Sequence, residues 1–118
     1  MKQGEIWMVN FNPSKGHEFQ KERPAIIISS NKIIKLSNLI TVLPITSNTN
    51  NCLDDDIKII KDSDNHLFMD SIVKVTHISS FDKNNSRFVK KIGVVNEYIL
   101  QQIKKYLIKH FDMISLDF

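Results

Sequence analysis

The sequence predicts a mainly β protein, a small closed or nearly closed antiparallel barrel with one C-terminal α-helix packed on it. Three observations support this. Short β-branched runs recur from Glu5 to Val95, each bounded by Asn, Asp, Ser, Gly or Pro clusters. Sustained helical periodicity occurs only after Asn96. The chain has 118 residues, 42% of them hydrophobic, which suits one domain, 1–118, around one core.

Glu5 to Phe11 reads as the first strand, with Ile6 and Met8 facing one way and Trp7, Val9 and Phe11 the other. The cluster from Asn12 to Gly16 ends it. A polar loop follows, then a buried strand from Ala25 to Ser29. Asn31 to Asn38 can carry a helical turn around Ile33, Ile34 and Leu36. Leu39 to Ser47 is a strong strand by β-branched content, and Pro44 near its end argues for an edge or a bulge. Ile57 to Ile60 is a short strand. Ser71 to Ile78 is another, preceded by the turn residues Asp62 to Asn65 and followed by a turn from Asp82 to Asn85. Arg87 to Val95 leads into the helix. Asn96 suits its N-cap, with Glu97 in the first turn. Ile99, Ile103, Tyr106, Leu107 and His110 form its apolar stripe, and Lys104, Lys105 and Lys109 fall late, where positive charge is favoured.

The bulk numbers exclude several classes. There is no apolar run long enough for a membrane span, and the start lacks an apolar signal segment. One cysteine, Cys52, precludes an internal disulfide and fits a reducing cytoplasm. No Cys/His spacing resembles a metal site, so neither metal nor other cofactor is expected. The net charge is +3, and its placement is uneven. Residues 1–50 carry six Lys/Arg against three Glu, residues 54–70 six Asp against two Lys, and residues 74–91 five Lys/Arg against one Asp. Two basic regions flanking an acidic one permit an anionic partner such as nucleic acid. A solvated charged surface explains the same numbers.

The stretch Gly16-His17-Glu18-Phe19-Gln20-Lys21-Glu22-Arg23-Pro24, running into Ala25-Ile26-Ile27-Ile28, organises the candidate site. Pro24 biases Arg23 toward an extended backbone and suits the first residue of a strand. A guanidinium is thereby held at the mouth of a sheet beside a polar loop, a place to grip a phosphate. An ordinary surface ion pair with Glu18 or Glu22 is the bland alternative.

Taken together, the opening Met1 to Pro13, Gly16-His17-Glu18, Arg23-Pro24 with its strand, and Pro44-Ile45-Thr46-Ser47 resemble the MazF/PemK family of endoribonuclease toxins from bacterial toxin–antitoxin pairs. Asp70-Ser71-Ile72-Val73, Phe81-Asp82-Lys83 and the C-terminal helix extend the resemblance over nearly the whole chain. It implies a barrel related to SH3 domains, a homodimer that binds single-stranded mRNA, and a cognate antitoxin as partner. The family's usual catalytic pair, the Arg of Arg-Pro and the Thr of Pro-x-Thr-Ser, matches Arg23 and Thr46. Some PemK-type members carry His where His17 stands, which makes His17 the third catalytic candidate. Glu18, Ser47, Lys21, Lys74 and His77 complete the expected RNA contacts.

The residue types agree with that chemistry. RNA cleavage without metal uses the ribose 2′-hydroxyl as nucleophile and needs a base, an acid and cationic stabilisation. Arg stays protonated, so Arg23 suits charge stabilisation and makes a poor base. Thr46 and Ser47 can donate hydrogen bonds to phosphate oxygens. His17 can move a proton near neutrality. Glu18 either orients His17 or pairs with Arg23. Bland readings stand beside these: Thr46 ends a strand, His17 is a solvated loop residue, His77 is structural. Trp7 and Phe11 read as core rather than base-stacking groups, and Met8 and Met69 as core or interface.

One block departs from the family pattern. Many members carry Gln-Ile-Arg-Thr-Ile-Asp-Lys, where this chain has His77-Ile78-Ser79-Ser80-Phe81-Asp82-Lys83. Ser79 replaces an Arg, and Thr76 stands where some PemK-type members place an acidic base. The cleavage sequence and the identity of the base are therefore open. Two other readings compete: a fold-related toxin that poisons a protein target such as DNA gyrase, and a cleavage-dead RNA-binding barrel.

Overall fold

The computed structural model describes residues 1–13, 21–50, 52 and 56–112. Along the chain run β1 (Glu5–Asn10), β2 (Glu22–Ile27), α1 (Asn31–Leu36), β3 (Leu39–Thr46), β4 (Ile57–Ile59), β5 (Ser71–Val73), β6 (Ser79–Asp82), β7 (Phe88–Val94) and α2 (Glu97–His110). The strands form one antiparallel, seven-stranded sheet in the order β4-β5-β3-β2-β1-β7, with β6 also on β3. The expected closure into a barrel is not made. β4 and β7 end the described sheet at opposite edges, because β6 returns to β3 instead of bridging them. No helix among the described residues is long and apolar enough to cross a membrane.

Strand alternation fills both faces. Ile6, Ile26, Leu43, Ile45 and Val73 join Ile99 and Ile103 of α2 in one cluster. Val9, Ala25, Ile27, Ile40 and Val42 join Phe11 and Ile34 of α1 in the other. Each buried Ile or Leu contributes about 1.5–3 kcal/mol relative to exposure. Asn96 caps α2 as expected, accepting from the Ile99 amide at 2.8 Å. The buried stripe is Ile99, Leu100 and Ile103, whereas His110 is exposed. Residues 31–36 do form a helix, capped by the Ser30 hydroxyl at 3.2 Å from the Ile33 amide.

The strand expected over Ser71–Ile78 is broken. β5 pairs with Ile45 and Thr46 at one end of β3, and β6 pairs with Leu39 to Val42 at the other. Between them, Val75–His77 makes a single 3-10 turn that shifts the chain along β3. Pro44 explains the break, and its predicted role at an edge or bulge is corrected. It is buried in a central strand, in the gap between the two partners, where no N–H is required. Its carbonyl accepts from the Lys74 amide at 2.9 Å, the point at which β5 leaves. Arg23 and Pro24 lie inside β2 rather than ahead of it.

Candidate active site

The site begins where the β2–β3 ladder ends. Its last rung is Ala25 opposite Pro44. Just past β2 the Ile28 amide donates to the Thr41 carbonyl, which sets the even-numbered residues here with their amides toward β3. Pro24 belongs to that set and has no N–H, so the next rung lacks one of its two donors. The ladder stops, and the strand ends part around a cleft of about 230 Å³. Arg23 and Thr46 each lie two residues beyond the last rung on their own strand, and both line the cleft with Ser47 and Glu22. Arg23 is fixed from behind, paired with Val9 of β1.

Thr46 is 7% exposed, and its Oγ1 accepts from the Asn48 amide at 3.1 Å. That bond orients the hydroxyl and leaves its hydrogen to donate elsewhere. Met8, Ile45, Leu67 and Ile92 supply apolar walls. Phe68 and Met69 stand at the cleft 96% and 59% exposed, so of the two readings of Met69, core or interface, the first does not hold. A guanidinium and a donor hydroxyl beside exposed apolar side chains can hold a phosphate with a base against the wall.

Other predicted contacts lie elsewhere. Lys74 is buried, and its Nζ is 2.6 Å from the Asp56 carboxylate, an ion pair within the fold. A buried pair of this kind is costly to break, and Lys74 does not line the cleft. His77 lies in the 3-10 turn with Nδ1 3.2 Å from the Thr76 hydroxyl, and does not line the cleft. Lys21 is exposed with φ 66°, its amide held by Asn12 Oδ1 at 2.8 Å, and is likewise not a lining residue. His17 and Glu18 lie outside the described residues. Among the described residues no three His, Cys, Asp or Glu side chains gather as metal ligands.

The sequence reading missed His66, which also lines the cleft. It ends a tightly determined turn. Asp62 Oδ1 accepts from the Asp64 and Asn65 amides at 2.8 and 2.7 Å. Asn65, 1% exposed, accepts from the Asp62 and Leu67 amides, both at 3.0 Å, and donates to the Ile60 carbonyl at 2.9 Å. The turn docks on β7, where the Val94 amide donates to the Asp64 carbonyl at 3.0 Å. Gly93 permits that approach, since a Cβ there would sit 2.4 Å from the Asp64 oxygen. Asp62 to Asn65 were legible as a turn, but no spacing tied residue 66 to residues 23 and 46.

These features define a class: a small open antiparallel sheet with an arginine–hydroxyl cleft at the frayed end of one ladder. Residues 2–111 match the family of PemK-like, MazF-like toxins of type II toxin–antitoxin systems, and the chain belongs to that family. The endoribonuclease MazF9 of Mycobacterium tuberculosis is 28% identical over 98% of this chain and 99% of its own length. The endoribonuclease PemK of Escherichia coli is 40% identical over 50 residues, 42% of this chain and 38% of its own. Among solved structures, a MazF from Deinococcus radiodurans superposes with a TM-score of 0.80 at 23% identity, covering 96% of this chain and 97% of that one. The shared fold is thus an open sheet of this kind with its C-terminal helix.

Proposed function

We propose that this chain is a sequence-selective endoribonuclease toxin that cuts single-stranded mRNA in the cytoplasm, without ribosome or metal, as one domain spanning 1–118. The observation that carries the reading is that Arg23 and Thr46 line one cleft just past the last rung of the β2–β3 ladder. Arg23 stabilises the charge that builds on the phosphorane, and its two-pronged guanidinium suits phosphate oxygens. Thr46 and Ser47 donate hydrogen bonds to the same group. The 2′-hydroxyl attacks the adjacent phosphorus, the 5′-oxygen leaves, and a 2′,3′-cyclic phosphate remains. A homodimer would lengthen the RNA path, and a cognate antitoxin with an acidic segment that folds on binding would block it.

Incubating purified protein with a long RNA in excess chelator tests the reading. Discrete fragments ending in 2′,3′-cyclic or 3′-phosphate are expected, and a 2′-deoxy sugar at the cut site should prevent cleavage. Activity that disappears with chelator and returns with magnesium overturns the mechanism. An RNA left whole overturns the activity.

A further inference from the structure

Cleavage through a 2′-hydroxyl needs a proton acceptor, and neither Arg23 nor Thr46 is one at neutral pH. His66 lines the same cleft. Its Nδ1 lies 2.8 Å from the Ile92 carbonyl. A carbonyl only accepts, so Nδ1 carries the hydrogen and, in the neutral ring, Nε2 keeps its lone pair. The backbone beneath it is left-handed, φ 55°, a conformation that costs a non-glycine residue energy unless its surroundings impose it. Here they do: the buried Asn65 side chain, the Asp62 carboxylate and the close approach of Gly93 fix the turn against β7. Such over-determination at a cleft marks a positioned functional group.

The geometry points to the His66 imidazole as the base that takes the ribose 2′-hydroxyl proton in this cleft; this rests on the endoribonuclease reading above. The proton moves to Nε2 as the 2′-oxygen–phosphorus bond forms and the phosphorus–5′-oxygen bond breaks. Solvent water protonates the departing 5′-oxygen, and the hydroxide so formed takes the proton from the imidazolium, restoring the base. Among the described residues, the charged groups sharing the cleft are Glu22 and Arg23 of β2. Asp62 and Asp64 belong to the turn itself, and β7 brings only uncharged residues at 92–94. Among the described residues Glu22 is therefore the rival base, and His17, which lies outside them, is the candidate the sequence adds.

The test is single-turnover cleavage of one RNA between about pH 5 and 8, the span in which imidazoles titrate. Wild type is compared with His66→Gly, His66→Asn and Glu22→Gln. Gly and Asn both tolerate the left-handed backbone, and Gly leaves room for added imidazole. His66→Gly and His66→Asn should lose roughly a hundred- to ten-thousandfold in rate. Their affinity for a 2′-deoxy analogue should be unchanged, and the acidic limb of the pH profile should vanish. Free imidazole should restore part of the rate to the Gly variant in proportion to its unprotonated fraction. If the Gly variant fails to melt cooperatively, the Asn variant decides the matter. Wild-type rate in the folded variants overturns the proposal. So does a slow variant that keeps the acidic limb, or loss of that limb in Glu22→Gln instead. If wild type cuts no RNA, the endoribonuclease reading falls and takes His66 with it; if wild type cuts and the His66 variants cut equally, only His66 falls.

Discussion

Two concavities among the described residues invite comparison, and the larger one gathers fewer converging reactive groups. Between α2 and β4 lies a groove of about 680 Å³, walled by Ile57, Ile59, Tyr98, Ile99 and Tyr106. At the end of the β2–β3 ladder lies the cleft of about 230 Å³. The groove is the seam where a helix meets a sheet edge, an outcome of packing. The cleft gathers a guanidinium, an oriented hydroxyl and an imidazole of defined tautomer from three separate segments. Convergence of unlike polar groups, rather than volume, separates a reaction site from a packing seam.

The sharpest test of that contrast is Arg23→Ala. Losing a preorganised transition-state donor costs about 2.7–4 kcal/mol, so initial rates on a defined RNA should fall at least a hundred- to a thousandfold. Arg23→Lys should recover little, because one ammonium cannot reproduce the fork. Thr46→Ala should lose a similar factor while its melting midpoint barely moves, since the bond it forfeits is to the exposed Asn48 segment. If both variants cut RNA at wild-type rate, the cleft is not the site.

Gly93→Ala probes the cleft from behind. Its methyl would meet the Asp64 carbonyl, and the 62–66 turn must shift. Overpacking of this kind costs about 1–3 kcal/mol, visible as a lower denaturation midpoint. The rate should fall further than the folded fraction, because His66 moves with the turn. A rate that only tracks the folded fraction would disconnect the turn from the chemistry.

Acid separates fold from reaction. Burial pushes the Glu5 carboxyl up, but hydrogen bonds from Trp7 Nε1, Lys91 and the Lys2 amide, with the Lys91 charge, outweigh it. The carboxyl ends below its usual range. A depressed carboxyl contributes stability that is fully present above the unfolded value, about 4.3, and is lost as pH falls through the folded one. Melting of wild type against Glu5→Gln should show a gap of about 1–3 kcal/mol at neutral pH that narrows only in strong acid. A gap that closed near pH 6 would implicate another group. The smallest effect is expected in the groove, where Tyr98→Ser on the exposed face of α2 should leave the cleavage rate within experimental error.

The sequence made β1 to β5 and α2 legible because side-chain alternation and an N-cap are local signals, whereas no strand was expected at β6. Arg23 and Thr46 were legible through motif resemblance, whereas their juxtaposition depends on the register between β2 and β3. Pro44 misled, since a proline inside a strand reads as an edge until the partner strand is known to change there. The ion pair of Lys74 was not legible, because the approach of Asp56, eighteen residues earlier, depends on the pairing of β4 with β5. His66 left no local trace, as its contact with the Ile92 carbonyl spans twenty-six residues.

Pro24 has a consequence for motion. Strand ends fray and rejoin continually, and two strands with a full set of donors would spend part of their time zipped together, with the space between Arg23 and Thr46 gone. A missing N–H cannot be restored by any fluctuation. The covalent structure of the chain thus removes one of the two hydrogen bonds that would close the gap, and so biases the strand ends toward the open arrangement. Substitution at position 24 would change no reacting atom, yet it would change how often those atoms have room to meet.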